Sequence, residues 1–76
     1  MTIETALNLA TDRLHIANST SARLDAEILL AFTLRVDRTW LHAHNNQELH
    51  AEEQTLFEHF ITQRTQHYPI AYIVGQ

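Results

Sequence analysis

Two carboxylates, Asp25 and Glu27, stand in the most apolar stretch of the chain and are its first candidates for acid or base chemistry. On a helical wheel, each of them interrupts a surface that is otherwise leucine, isoleucine, alanine and phenylalanine. A carboxyl group can act as a general acid or base there, but it needs a pocket, a nucleophile or a second partner residue. The sequence indicates no such partner beside either residue, so an ion pair that fixes helix packing is the alternative.

Arg64 is a cation on another predicted helix that could form an ion pair with one of these carboxylates. It lies between Phe57 and Phe60 on its own wheel, in an apolar setting that matches that of the two acids. Two interpretations stay open: the side chain reaches along the apolar surface to water, or its guanidinium pairs with a carboxylate of a neighbouring helix. In the second case Asp25 is the preferred partner and Glu27 the next, and the three residues form a structural polar set.

Six histidines and several glutamates are the remaining residues that could do chemistry. His42 and His44 are two positions apart, which points them to different faces of a helix, and His59 belongs to another segment. Neither a His-Glu-x-x-His motif nor a cysteine is present, so we expect no metal site. The glutamates at positions 52, 53 and 58 suit a solvated helix face, because no pocket or nucleophile accompanies them.

Composition narrows the class of protein. The chain has 76 residues with nine acidic and five basic side chains, and its net charge of −4 disfavours a phosphate backbone as the main partner. One glycine and one proline are too few for a many-stranded protein, which favours an all-helical one. The N-terminus lacks the pattern of a signal peptide, and no apolar run reaches the ~20 residues that span a bilayer. We therefore expect a cytoplasmic location.

Apolar spacing predicts a small all-α bundle of four to five helices without a sheet. A first helix begins after Thr2, a central apolar helix covers about residues 21–34, and a short helix covers residues 38–43. A further helix covers about residues 51–66, and a last short helix begins at Pro69 and ends at Gly75. Four aromatic side chains are expected in the core because they recur at helical spacing; these are Phe32, Trp40, Phe57 and Phe60. Leu24 shares an arc of the central helix with Phe32 and is expected to be buried with it.

Three stretches, taken in order, carry a resemblance to a known family. They are Ala-Arg-Leu-Asp-Ala-Glu-Ile-Leu-Leu at residues 22–30, Val-Asp-Arg-Thr-Trp-Leu-His-Ala-His at 36–44 and Pro-Ile-Ala-Tyr-Ile-Val-Gly at 69–75. Together with Arg64 ahead of the proline, this set resembles the N-terminal domain of the HemK/PrmC family, protein-(glutamine-N5) methyltransferases that act on class 1 peptide chain release factors. The chain departs from the family pattern at Arg35 and His67, where a helix-ending glycine is expected, and at Tyr68, where an acidic residue often precedes the proline.

The resemblance implies a two-part enzyme of which this chain is the first part. Residues 1–68 would be a helical N-terminal domain, and residues 69–76 would begin the segment that connects it to a Rossmann-like domain that binds S-adenosylmethionine. Pro69, Ile70, Tyr72 and Gly75 would then lie at the interdomain junction. The family's Gly-rich cofactor loop and Asn-Pro-Pro-Tyr motif have no counterpart in these residues, so no catalytic or cofactor-binding residue is assigned.

The resemblance also implies a function for the domain. It would recognise or position the release factor while the parent methylates the glutamine side-chain amide of a Gly-Gly-Gln sequence, with the parent's catalytic domain as the second partner and no direct nucleic acid or membrane partner. Two alternatives stay open: a purely structural cap of the catalytic domain, and an independent helical interaction module. Deleting a cap would lower the stability of the parent and leave its substrate affinity intact.

Overall fold

The computed structural model describes residues 1–75, which form five α-helices. They are α1 (Ile3–Ile16), α2 (Ala22–Leu34), α3 (Arg38–Ala43), α4 (Ala51–Thr65) and α5 (Ile70–Val74). No strand or sheet occurs within this range, where a single isolated antiparallel bridge pairs Thr2 with Glu48. The predicted all-α bundle is confirmed, and the predicted helix bounds lie close to the observed ones.

The helix α2 is the centre of the bundle, because it contacts each of the other four helices. Its buried apolar side includes Ala26, Leu29 and Leu30. The prediction of a central apolar helix is confirmed, but the predicted burial is wrong for Leu24 and Phe32. Leu24 and Phe32 are each 42% exposed. The neighbouring helices leave that side of α2 uncovered, and a wheel cannot show which side they cover.

The aromatic side chains lie mostly at the edge of the core. Phe57 is buried as predicted, Trp40 and Phe60 are half-buried against the core, and Phe32 is exposed, so the prediction is wrong for Phe32. The rings of Phe32 and Phe60 contact each other with centroids 5.6 Å apart. A bundle of this size has a narrow interior that aliphatic side chains fill. Its largest fully buried side chains are those of Ile3, Leu7, Leu14, Leu29, Leu30, Leu41 and Ile61.

The helix ends follow local backbone chemistry. Thr2 and Asp37 cap α1 and α3, because the side chain of each accepts the backbone N–H three residues further on. Arg35 follows α2 with φ 59° and ψ 45°, and His67 lies just beyond α4 with φ 69°. This left-handed region favours glycine. Both residues stand where the family resemblance led us to expect a helix-ending glycine.

Candidate functional site

Asp25 is a buried carboxylate, 4% exposed, in the first turn of α2. Its Oδ2 accepts a hydrogen bond from Nε of Arg64 in α4 at 3.0 Å. The hydroxyls of Ser19 and Ser21 donate to Oδ2 and Oδ1, each at 3.1 Å. Arg64 also donates from Nη1 to the carbonyl oxygen of Tyr68 at 3.1 Å. Asp25 therefore joins the loop before α2 to α4 and, through the arginine, to the turn after α4.

Glu27 is the second buried carboxylate, also 4% exposed, and it has other partners. Its Oε2 accepts from Arg23 Nε at 3.0 Å, and its Oε1 accepts from Nε and Nη2 of Arg38 at 3.1 and 2.9 Å. Nε2 of His42 lies 3.6 Å from the same Oε1. Burial raises the pKa of Glu27, but the hydrogen bonds from Arg38 and Arg23 and the nearby His42 outweigh it, so the pKa lies below its usual value.

Arg23 extends the Glu27 cluster to α1. Its Nη1 donates to Oδ1 of Asn8 at 3.0 Å, and its Nη2 lies 3.6 Å from Oε1 of Glu4. Because Arg38 belongs to α3, the cluster ties α1, α2 and α3 together. Three of the five arginines in the chain are therefore engaged with the two buried carboxylates.

These contacts limit the chemistry of the two carboxylates. Within the described range, every buried side-chain nitrogen or oxygen has a hydrogen-bond partner. The oxygens of Asp25 and Glu27 are held by arginine and serine, a setting that suits an ion pair and not a proton shuttle. Of the two interpretations left open for Arg64, the structure shows the ion pair, made with Asp25, whereas Glu27 pairs with Arg23 and Arg38.

Sequence reasoning missed several of these partners. Arg23 and Glu27 are four residues apart, which is the usual spacing of an ion pair on one helix, so a local signal was present. Ser21 and Asp25 are also four residues apart, and the hydroxyl of Ser21 donates a hydrogen bond to the carboxylate. Arg38 lies 11 residues from Glu27 on another helix, and its approach depends on how α2 and α3 cross. Local spacing does not predict that crossing.

The histidines are dispersed over the fold. In residues 1–75, no group of three or more histidine, aspartate or glutamate side chains could hold a metal ion. His42 lies near Glu27. His44, at the end of α3, stacks on the ring of Trp40, and His59 contacts the ring of Phe60 in α4. Their environments therefore differ from one another, and these side chains form no common site.

The residues predicted for an interdomain junction lie in and beside α5. Pro69 precedes the first residue of α5 and is exposed, as is Tyr72, and Ile70 is half-buried. Ile73 is buried in the same core as α1, α2 and α4. The short helix therefore packs on α2 and α4 and leaves one side in water.

Gly75 ends α5 and donates its N–H to the carbonyl oxygen of Ala71 at 2.7 Å. A Cβ atom at this position would collide with that carbonyl group, so the close approach explains the glycine. Gln76, the last residue of the predicted connecting segment, lies outside the described residues.

The fold and its two polar clusters define a small all-helical domain whose buried charges join its helices. Within residues 1–75, none of the helices has the length and apolar character needed to cross a membrane. The family model of the PrmC N-terminal domain matches residues 5–75. The chain therefore belongs to the PrmC N-terminal domain family.

Several curated relatives are similar to this chain over most of its length. A release factor glutamine methyltransferase of Koribacter versatilis is 39% identical over 75 residues, which cover 99% of this chain and 27% of the relative. A protein of the same name from Yersinia pestis is 41% identical over 70 residues, which cover 92% and 25%. A bifunctional methyltransferase of Rickettsia felis is 33% identical over 73 residues, which cover 96% and 14%. The chain spans about a quarter or less of the length of these relatives, and no solved structure matches it significantly.

Proposed function

We propose that this chain is the N-terminal domain of a cytoplasmic S-adenosylmethionine-dependent methyltransferase that modifies class 1 peptide chain release factors at the glutamine side-chain amide of Gly-Gly-Gln. The observation that carries the proposal is the family match over residues 5–75, supported by relatives named release factor glutamine methyltransferases. Those relatives extend well beyond the matched region, since it covers 27% and 25% of two of them. We assign methyl transfer to the corresponding further part of the parent.

S-adenosylmethionine supplies the methyl group in the proposed reaction. The residues of this chain do not fit its binding site, because the described range has no strand followed by a Gly-rich turn and the only glycine of the sequence is Gly75. We therefore assign no residue of this chain to the cofactor or to the methyl-transfer step.

Within the parent, this domain recognises or positions the release factor. Methyl transfer requires the amide nitrogen to be aligned with the methyl group, and a second contact on the protein substrate lowers the entropic cost of that alignment. Such a contact needs a surface of fixed shape. Asp25, Glu27 and Arg64 act as a structural polar set that provides it, because their contacts tie α2 to the neighbouring helices.

Residues 1–68 form the helical body in this proposal, and residues 69–76 begin the connection to the catalytic domain. The exposure of Pro69 and Tyr72 supports this arrangement, while Ile73 keeps α5 packed on the bundle at the start of the connection. Ile70 and Gly75 then lie at the same junction. The exposed side of α5, which carries Tyr72, favours a second function, in which the domain stabilises the catalytic domain through α5 and does not touch the release factor.

Deletion of residues 1–68 from the parent separates the two functions. A recognition role predicts that the Kd for unmodified release factor rises about tenfold or more in calorimetric titration. A cap role predicts an unchanged Kd with a lower Tm, and that result would contradict recognition. Circular dichroism of the truncated parent checks that its remaining part is folded.

The activity itself has an independent test. The intact parent, incubated with S-adenosylmethionine and unmodified release factor, is expected to add one methyl group to the glutamine of Gly-Gly-Gln, detected by mass spectrometry of the digested factor. A parent that is folded and leaves this glutamine unmodified would overturn the proposed activity.

A further inference from the structure

A groove of about 350 Å³ runs along the outside of the bundle between α1 and α4. Its floor includes the buried side chains of Ala6, Ala10, Phe57 and Ile61. The two alanines are four residues apart and therefore share one face of α1. Because each contributes only a methyl group, α1 leaves space above the larger side chains of α4.

The walls of the groove carry apolar side chains that the bundle leaves in water. Leu9 is 50% exposed and Ile16 is 83% exposed, and both line the groove. A single exposed apolar side chain is ordinary in a folded protein. Two of them beside an apolar floor make a contiguous apolar surface, which is typical of an interaction site. Covering this surface with another apolar segment is favourable.

The charges at the edge of the groove are mainly acidic. Asp12 on α1 and Glu58 on α4 both line it. Arg13 also lines it, but its Nη2 bonds to a threonine hydroxyl of α4 at 3.1 Å. The amino group of Met1 is paired with Glu48 at 2.9 Å. That hydrogen bond leaves the charge of Arg13 in place, so two acids stand against one arginine, and the remaining excess of negative charge suits a basic segment.

The position of the groove leaves it accessible beside a domain joined after α5. Phe57 and Ile61 face the groove, whereas Phe60 and Gln63 border Tyr72 on another side of α4. A partner seated in the groove and a domain attached at α5 would therefore contact different sides of the same helix.

We infer that this groove is the surface through which the domain contacts its protein substrate, and that the bound segment presents apolar side chains flanked by lysine or arginine. The inference rests on the proposed function, which supplies a release factor as the substrate. The apolar floor and walls select apolar side chains, as grooves between helices do in other complexes. Asp12 and Glu58 attract a basic flank and repel an acidic one, which adds specificity.

Calorimetric titration of this chain with an unmodified class 1 release factor tests the inference. Leu9→Ser and Ile16→Ser are each expected to raise the Kd about tenfold, because each removes a large part of the apolar contact. Glu58→Gln is expected to raise it about threefold and to weaken its dependence on salt. Leu24→Ser and Glu52→Gln are the matched controls, since they alter an exposed leucine and an exposed acid outside the groove. Both controls are expected to keep the wild-type Kd.

The substituted side chains are exposed, and circular dichroism verifies that each variant is folded. If Leu24→Ser weakens binding and Ile16→Ser does not, the groove is the wrong surface while the proposed function stands. The inference is also overturned if the wild-type chain binds no release factor although the parent methylates it, or if sedimentation shows a dimer of the chain that Ile16→Ser converts to a monomer. Failure of the parent to methylate the release factor would instead overturn the proposed function.

Discussion

At the scale of single residues, two buried carboxylates of α2 make the contacts that join this helix to its neighbours. Asp25 is bound by an arginine and two serine hydroxyls, and Glu27 by two arginines. Removing one partner of a buried ion pair lowers the stability of the fold strongly, because the remaining charge stays in an apolar environment without a compensating interaction. Both carboxylates therefore restrict which helix arrangements are stable.

Asp25→Ala is expected to lower the free energy of unfolding by about 3 kcal/mol, because the guanidinium of Arg64 loses its carboxylate in a mostly buried site. Urea denaturation followed by circular dichroism measures the change. Asp12→Ala, which removes an exposed carboxylate of α1, is the control and is expected to change stability by about 0.5 kcal/mol or less. Equal effects of the two substitutions would contradict a structural role for Asp25.

Glu27 makes stability depend on acid pH. Its pKa is lowered in the folded chain, so the unfolded chain binds more protons as the pH falls through this range. Its contribution is fully present above the unfolded pKa of about 4.3 and is lost as the pH falls through the folded pKa.

Glu27→Gln is therefore expected to lower stability at pH 7 and to reduce the further loss between about pH 5 and pH 3. Urea titrations across this range give the slope of the unfolding free energy against pH. Glu52→Gln serves as the exposed control and is expected to retain the wild-type slope. A Glu27→Gln variant with that same slope would show that the carboxylate does not contribute.

At the scale of elements, α1 and α3 begin with side-chain caps, and α2 and α4 end at arginine and histidine residues in a strained backbone conformation. Thr2 and Asp37 satisfy backbone N–H groups at helix starts. Arg35 and His67 stop α2 and α4 in the left-handed region, where a Cβ atom crowds the backbone. The segments that follow these residues pack on the bundle, since α3 contacts α2 and α5 contacts α2 and α4.

Arg35→Gly and His67→Gly are each expected to raise the free energy of unfolding by about 0.5 to 1 kcal/mol, since glycine relieves the strain at a positive φ but adds freedom to the unfolded chain. Gln66→Gly is the matched control, because Gln66 has φ −91° and gains nothing from glycine. Chemical denaturation should show the control less stable than wild type. Destabilisation by all three substitutions would contradict the strain argument.

At the scale of the whole molecule, one core includes parts of all five described helices. The helix α2 contacts the other four, and Ile73 brings α5 into the same core. The proposed junction therefore starts from a helix that is seated on the bundle. The packing of α5 on the bundle therefore fixes the direction in which the proposed connecting segment leaves the domain.

Ile73→Ala is expected to lower the free energy of unfolding by about 2 to 4 kcal/mol, because the substitution leaves a cavity between α5 and the bundle. Thermal and urea unfolding of the chain measure this loss. Ile16→Ala is the control, as that isoleucine is almost fully exposed. If the two variants were equally stable, α5 would not belong to the core in solution.

The order and ends of the helices could be predicted from the sequence by itself, as could the family. Apolar spacing, caps at Thr2 and Asp37 and the turn at Pro69 are local properties, and local backbone preferences decide them. The contact of Arg64 with Asp25 was also within reach, because charged residues in matching apolar settings need partners.

Only the tertiary structure decided which faces of these helices meet. It left Leu24 and Phe32 exposed, and it brought Arg38 of α3 to Glu27. It also opened the groove between α1 and α4, which no single segment encodes. The physical reason is that helix crossing depends on side chains far apart in the chain, whose combined packing selects one arrangement.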